Sequence, residues 1–204
     1  GSLAGQRQFF VRTQGCSIKC PIRHICDEPA ALPVNIESYS GPGGDSLISI
    51  DYIVQKALDE VGKGGWLHIT GGEPLEYLEE WKALVMEAMS AGLRVQTQTS
   101  GMIDHGMPAG RAGRVTVSPK APCEETKLKH GTELILVAAP WVSPSIAAGF
   151  IEKTSFDFYY IVPAHLGGGK WSNGKAVDLV DRLLEMGQPQ WRLSHQLHKI
   201  FGIK

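Results

Sequence analysis

Apolar and polar positions alternate along this chain in short blocks that switch between two periods. Residues 8–12 form a β-type run that delivers the chain into a cluster of cysteines. Residues 25 to about 49 carry Pro29, Pro33, Pro42 and a glycine-rich turn, and read as irregular. Asp51 then opens a helix whose apolar face is Ile53, Val54, Ala57, Leu58 and Val61, stopped by Gly62, Gly64 and Gly65. A second strand at 66–70 runs into Gly71-Gly72-Glu73-Pro74, and a helix from 75 to 91 follows. Further strands are expected at 94–99, 115–118, 133–137 and 158–162, and a last helix at 176–186 precedes Trp191-Arg192-Leu193.

Strands alternating with helices predict an α/β fold, with about six mostly parallel strands. The segment 101–114 holds too much glycine and proline for a full helix, so at least one crossover is abbreviated. An open, partial (β/α) barrel suits this better than a closed eight-fold one. No repeat, low-complexity tract or linker divides the chain, and residues 1–204 read as a single domain.

Composition narrows the partners. With 20 basic and 21 acidic residues the net charge is −1, so no global field recruits nucleic acid or an anionic membrane. No apolar run approaches the length of a membrane span, and the residues before the first strand show no charged-then-apolar leader pattern. Three of the four cysteines, Cys16, Cys20 and Cys26, fall within eleven residues, and the fourth is Cys123. Clustered thiols in such a chain point to metal in a reducing, cytoplasmic setting rather than to a disulfide framework.

Spacings of three and five residues let one loop present three thiolates to a compact core. Soft thiolate suits iron–sulfur clusters, zinc or copper(I). Three thiolates on a four-iron cluster leave one iron for a small ligand to chelate. A structural zinc site with His24 as fourth ligand is the competing reading. Cys123, between Pro122 and Glu124 in a polar stretch, reads as a bystander.

The three-cysteine loop after the first strand, with Gly71-Gly72-Glu73-Pro74 ending the second, resembles the radical S-adenosylmethionine superfamily. Within it, five landmarks resemble the 7-carboxy-7-deazaguanine synthase family in their order. They are Arg12, Thr70 through Leu75, Gln98-Thr99-Ser100-Gly101, Ser118-Pro119-Lys120, and the terminal stretch from Trp191 to Lys199 with its Gln196-Leu197-His198-Lys199.

The resemblance implies a 4Fe–4S cluster on Cys16, Cys20 and Cys26, reductive cleavage of S-adenosylmethionine, and radical ring contraction of 6-carboxy-5,6,7,8-tetrahydropterin with loss of ammonia. It implies Ile25, Gly71, Gly72, Glu73, Thr99, Ser118 and Lys120 as cofactor contacts. Arg12, Gln98, His198 and the chain end, Lys204, become pterin contacts, and magnesium is held beside the cluster loop. A homodimer and an electron donor such as flavodoxin are further expectations. Glycines without Cβ let backbone approach the methionine moiety, and ligands of open α/β sheets collect at carboxyl ends of strands.

The chain departs from the family pattern in several places. The second cysteine gap is five rather than two, and Ile25 stands for the usual aromatic. Glu28 replaces a threonine at the magnesium position, offering a harder ligand. Gln98 replaces a glutamate, and Val162 precedes Pro163 where a glutamine is usual. These differences leave open another radical enzyme of the superfamily, activating or peptide-modifying, and a non-catalytic zinc module.

Overall fold

The computed structural model describes residues 1–26, 48–108, 110–166 and 169–195. Seven strands lie in one sheet: β1 (Gln8–Thr13), β2 (Trp66–Gly71), β3 (Arg94–Thr99), β4 (Arg114–Val117), β5 (His130–Val137), β6 (Ser155–Val162) and β7 (Trp191–Leu193). Every neighbouring pair is parallel, and spatial order equals chain order. The expected six strands are therefore seven. Residues 191–193 pair with β6 through Tyr159↔Trp191, Tyr160↔Arg192 and Ile161↔Leu193, a run too short for periodicity to register.

Parallel strands in sequential order, joined by right-handed crossovers, place every connection on one face of the sheet. Four α-helices occupy that face: α1 (Ile50–Val61), α2 (Leu78–Ser90), α3 (Pro144–Lys153) and α4 (Asn173–Glu185). Against them stand Val11, Leu67, Ile69, Val95, Val115, Val117, Leu134, Leu136 and Ile161 in one hydrophobic core. Because strand side chains alternate, the intervening residues point away from the helices. Two register rows define that opposite face. Phe10, His68, Gln96 and Arg114 align across β1 to β4, and Gln98, Thr116, Glu133 and Phe158 across β3 to β6. The helix-free face is the inside of a partial barrel, and it is largely polar.

Local boundaries differ from those expected in instructive ways. Ser49, not Asp51, caps α1: it is extended and its hydroxyl accepts from the Tyr52 N–H at 3.3 Å, while Asp51 sits in the first turn facing the helix dipole. The helix expected at 75–91 is split, because Pro74 starts a 3-10 turn (Pro74–Tyr77) before α2 begins at Leu78. The helix α3 was not foreseen, since Gly149 interrupts its pattern, yet Ser143 caps it and Pro144 occupies its first position. The expected abbreviated crossover is present: among the described residues no α-helix joins β3 to β4, nor β4 to β5. No helix among the described residues is long and apolar enough to cross a membrane.

Cys123 stands in a polar stretch of sequence, but its side chain turns inward. It is 3% exposed and packs in the hydrophobic core.

Candidate active site at the strand ends

The chain leaves β1 at Thr13 and turns directly into the cysteine loop, which rests on the segment following β2. Backbone makes the joint: the Gly72 N–H donates to the Thr13 carbonyl at 2.9 Å, and the Glu73 N–H to the Gly15 carbonyl at 3.2 Å. The Thr13 hydroxyl donates to the Thr70 carbonyl at 3.2 Å. Gly71 has φ +112°, and a Cβ there would lie 2.4 Å from the Thr13 carbonyl oxygen and 2.5 Å from its nitrogen. Glycine at 71 is thus demanded by the close approach of β1 itself.

Glu76 makes the second joint. Its carboxylate accepts from the Ser17 N–H at 2.7 Å and from the Ser17 hydroxyl at 2.6 Å. The sequence reading did not single out Glu76. Its position three residues past Glu73, on the turn that must face the cysteine loop, was the available signal.

Glu73 is 1% exposed, and its carboxylate is engaged by four donors. The Leu75 N–H at 3.2 Å and the Thr99 hydroxyl at 2.6 Å reach one oxygen; the Ser100 N–H at 2.8 Å and the Ser100 hydroxyl reach the other. The Thr99 carbonyl in turn accepts from the Ser118 N–H at 2.8 Å, and the Ser118 hydroxyl accepts from the Lys120 ammonium at 2.8 Å. Glu73, Thr99, Ser118 and Lys120 therefore form one connected chain across the carboxyl ends of β2, β3 and β4. With its carboxylate saturated from within, Glu73 offers a ligand its backbone and its shaping of the turn.

Cys16, Cys20 and Cys26 are free thiols on one loop, Cys16 and Cys20 half-buried and Cys26 exposed. Burial pushes the Cys16 thiol up; a backbone bond at Ile18 opposes this, while Glu76, Glu73 and Cys26 add to it. Metal loading there must displace a proton. Among the described residues no group of three or more His, Cys, Asp or Glu side chains is gathered tightly enough to hold a metal ion. The three thiols stand in one loop above the strand ends rather than in a closed ligand cage. As a donor set, three soft thiols on a loop seated by backbone bonds fit an iron–sulfur cluster. His24 lies in a 3-10 turn (Arg23–Ile25) and is exposed.

Inside the barrel, Arg12 is exposed on β1 with its guanidinium 5.6 Å from the centre of the Phe10 ring. Gln98 is half-buried on β3, on the same helix-free face. Glu28, His198 and Lys204 lie outside the described residues, as does the side chain of Ile25.

The sequential parallel sheet, its first strand feeding a three-cysteine loop seated on a Gly-Gly-Glu-Pro turn, defines a radical S-adenosylmethionine enzyme. No family model matches the chain. Curated relatives do, each bearing the name 7-carboxy-7-deazaguanine synthase. The protein of Bradyrhizobium diazoefficiens is 32% identical over 210 residues, covering 100% of this chain and 93% of its own. That of Nitratidesulfovibrio vulgaris is 30% identical over 213 residues, covering 100% and 93%. That of Prochlorococcus marinus is 28% identical over 217 residues, covering 98% and 90%. The chain belongs to the 7-carboxy-7-deazaguanine synthase family.

Proposed function

We propose that this chain converts 6-carboxy-5,6,7,8-tetrahydropterin to 7-carboxy-7-deazaguanine by radical ring contraction with loss of ammonia, acting as a lyase of queuosine biosynthesis. The observation that carries the reading is the hydrogen-bonded continuity from the cysteine loop through Gly72 and Glu73 to Thr99, Ser118 and Lys120. It gathers at one barrel mouth the residues that the family resemblance marks for cofactor binding.

In this reading Cys16, Cys20 and Cys26 hold a 4Fe–4S cluster. When bound, cluster and S-adenosylmethionine supply a 5′-deoxyadenosyl radical able to take hydrogen from an unactivated carbon. The protein's own part is placement. Gly71 and Gly72 keep the turn close to the loop, Thr99 and Ser118 present polar groups at the strand ends, and Lys120 offers its ammonium to a carboxylate or ribose hydroxyl. Arg12 forks onto the pterin carboxylate and Gln98 pairs with its guanidine-like edge. Ile25 lies beside the adenine, and His198 and Lys204 complete the pterin site. Glu28 supplies a hard oxygen for magnesium. The functional unit is a cytoplasmic homodimer of single-domain chains, reduced by a flavodoxin-like donor.

Anaerobic reconstitution with iron and sulfide, followed by a product assay, tests the reading. Brown protein with broad visible absorption that forms 7-carboxy-7-deazaguanine is expected. Colourless protein that retains zinc, or a brown enzyme that cleaves S-adenosylmethionine yet leaves the pterin unchanged, overturns it.

A further inference from the structure

The residues ahead of β1 cross the helix-free side of the sheet instead of leaving it. The Gly1 nitrogen donates to the hydroxyl of Ser194, just past β7, at 2.9 Å. The Ser2 N–H donates to the Glu133 carboxylate on β5 at 2.8 Å, and the Ser2 hydroxyl donates to the same oxygen. From β4 the Arg114 guanidinium donates to the Ser2 hydroxyl and, at 3.3 Å, to that Glu133 oxygen. Further along, the Trp66 indole of β2 donates to the Gln6 side chain at 2.7 Å, and the Gln8 amide reaches the Leu3 carbonyl at 3.4 Å. The open sheet has its free edges at β1 and β7, and this strap runs from one to the other.

Glu133 is the anchor. It is 1% exposed, and only one of its oxygens is engaged. The other is buried without a hydrogen-bond partner and lies against Gly1, where a Cβ would come within 2.4 Å of it. A buried carboxylate with one oxygen unmatched is a poor way to stabilise a fold. What it supplies is a fixed place for Ser2, between β4 and β5. Arg114 is the register partner of Gln96, and Glu133 is the partner of Thr116, which pairs with Gln98. Ser2 is therefore held at the height of the polar row that contains Gln98. It stays exposed although both its polar groups are bound, so the strap lines open space rather than core.

We propose that Glu133 is a positioning residue for the pterin: by holding Ser2 it makes the strap a wall of the substrate chamber beside Gln98, and the pterin binds tightly only when the strap is docked. This deepens the functional reading above and rests on it. None of the strap's hydrogen bonds involves the chain from Glu73 through Thr99 and Ser118 to Lys120. Cofactor binding is therefore expected to be independent of the strap.

Ser2 offers a test that spares the fold. It is the second residue of a turn closed by the Ala4 N–H on the Gly1 carbonyl at 3.1 Å, and its φ is not positive, so proline suits the position. Ser2→Pro keeps the turn and deletes both donors to Glu133, whereas Ser2→Thr keeps both. With anaerobically reconstituted enzyme, dissociation constants for carboxytetrahydropterin and for S-adenosylmethionine are measured without reductant, alongside KM and kcat. Hydrogen exchange of residues 3–7 is followed with and without the pterin. Ser2→Pro is expected to raise the pterin Kd and KM about tenfold, with iron content and the S-adenosylmethionine Kd at parent values. Ser2→Thr should match the parent. The pterin should slow exchange in the strap of the parent but not of Ser2→Pro. A parent-like pterin Kd in Ser2→Pro, with its strap exchanging faster, makes the strap merely structural and overturns the proposal. A loss that falls equally on S-adenosylmethionine overturns it too. A parent that binds S-adenosylmethionine but no pterin fails the functional reading itself, and the proposal with it.

Discussion

Ser17 gives both its N–H and its hydroxyl to one carboxylate, that of Glu76, at 2.7 and 2.6 Å. One neighbour of Cys16 is thereby tied to the turn after β2. The pair is solvent-exposed, so its worth is discounted for screening, to about 1 kcal/mol of loop ordering. Glu76→Ala should leave the loop docked roughly fivefold less often. Alkylation of Cys16 in the metal-free protein should quicken, and iron uptake during reconstitution should slow. Identical alkylation and uptake rates would mean that the backbone joints at Gly72 and Glu73 suffice.

The cysteines divide by environment. Cys16, Cys20 and Cys26 lie on the strand-end loop, whereas Cys123 is buried among core residues. Alanine at any of the first three should abolish iron binding and cleavage of S-adenosylmethionine. Cys123→Ala should retain both while costing about 1 kcal/mol of stability through lost packing. Iron analysis and denaturant melts separate the two outcomes. Full iron content in Cys26→Ala would show that the third ligand has been misplaced.

Much of this site could be read from residue order alone, because its landmarks sit at strand ends and the strands are legible as blocks. What residue order concealed is which atoms do which work. Gly71 reads as a gap for a ligand, but the space is taken by Thr13 of the neighbouring strand. Glu73 reads as a cofactor contact through its side chain or the carbonyls beside it, and its carboxylate is engaged by Thr99, Ser100 and Leu75, partners that come from the end of β3, the residue after it and the turn itself. Pairings across strands depend on register, which local periodicity does not carry. The polar lining was nearer to hand. In β3, Arg94, Gln96 and Gln98 alternate with Val95, Thr97 and Thr99, a signal that one face of this strand avoids the core. The helix α3 was missed because Gly149 and a run of small residues blur its apolar stripe, although Ser143-Pro144 announces its start.

Glu73 is the stability hinge of the strand ends. Four donors converge on a carboxylate that water does not reach. Glu73→Gln replaces one acceptor oxygen by an amide NH2 that must face hydroxyl or N–H donors. The expected cost is about 2–4 kcal/mol, read by urea denaturation of the metal-free protein. Thr99→Val removes one donor and should cost less, about 1 kcal/mol. A double variant losing less than the sum of the two would confirm that the groups act on one another. A Glu73→Gln variant as stable as the parent would instead mean that this network contributes only geometry.

His105 gives the fold a pH dependence away from the cysteines. It is buried after β3, against Trp81 at 5.6 Å and His130 at 6.1 Å between ring centres. Its Nδ1 accepts from the Met107 N–H at 3.0 Å, so the ring must be neutral at that nitrogen. Burial lowers its pKa in the folded state; Asp104 opposes this, and His130 and Lys82 add to the lowering. A folded value below the unfolded one means that the unfolded chain binds the extra proton first. Stability from the neutral ring is therefore fully present above the ordinary imidazole value, about 6.5, and is lost as pH falls from there toward the lower folded value. Unfolding free energies measured between pH 7.5 and 5.5 should fall with acid more steeply in the parent than in His105→Asn. The substituted protein, less stable at neutral pH for want of packing, should show the flatter profile. Equal slopes in the two proteins would mean that His105 stays as easily protonated in the fold as in the unfolded chain.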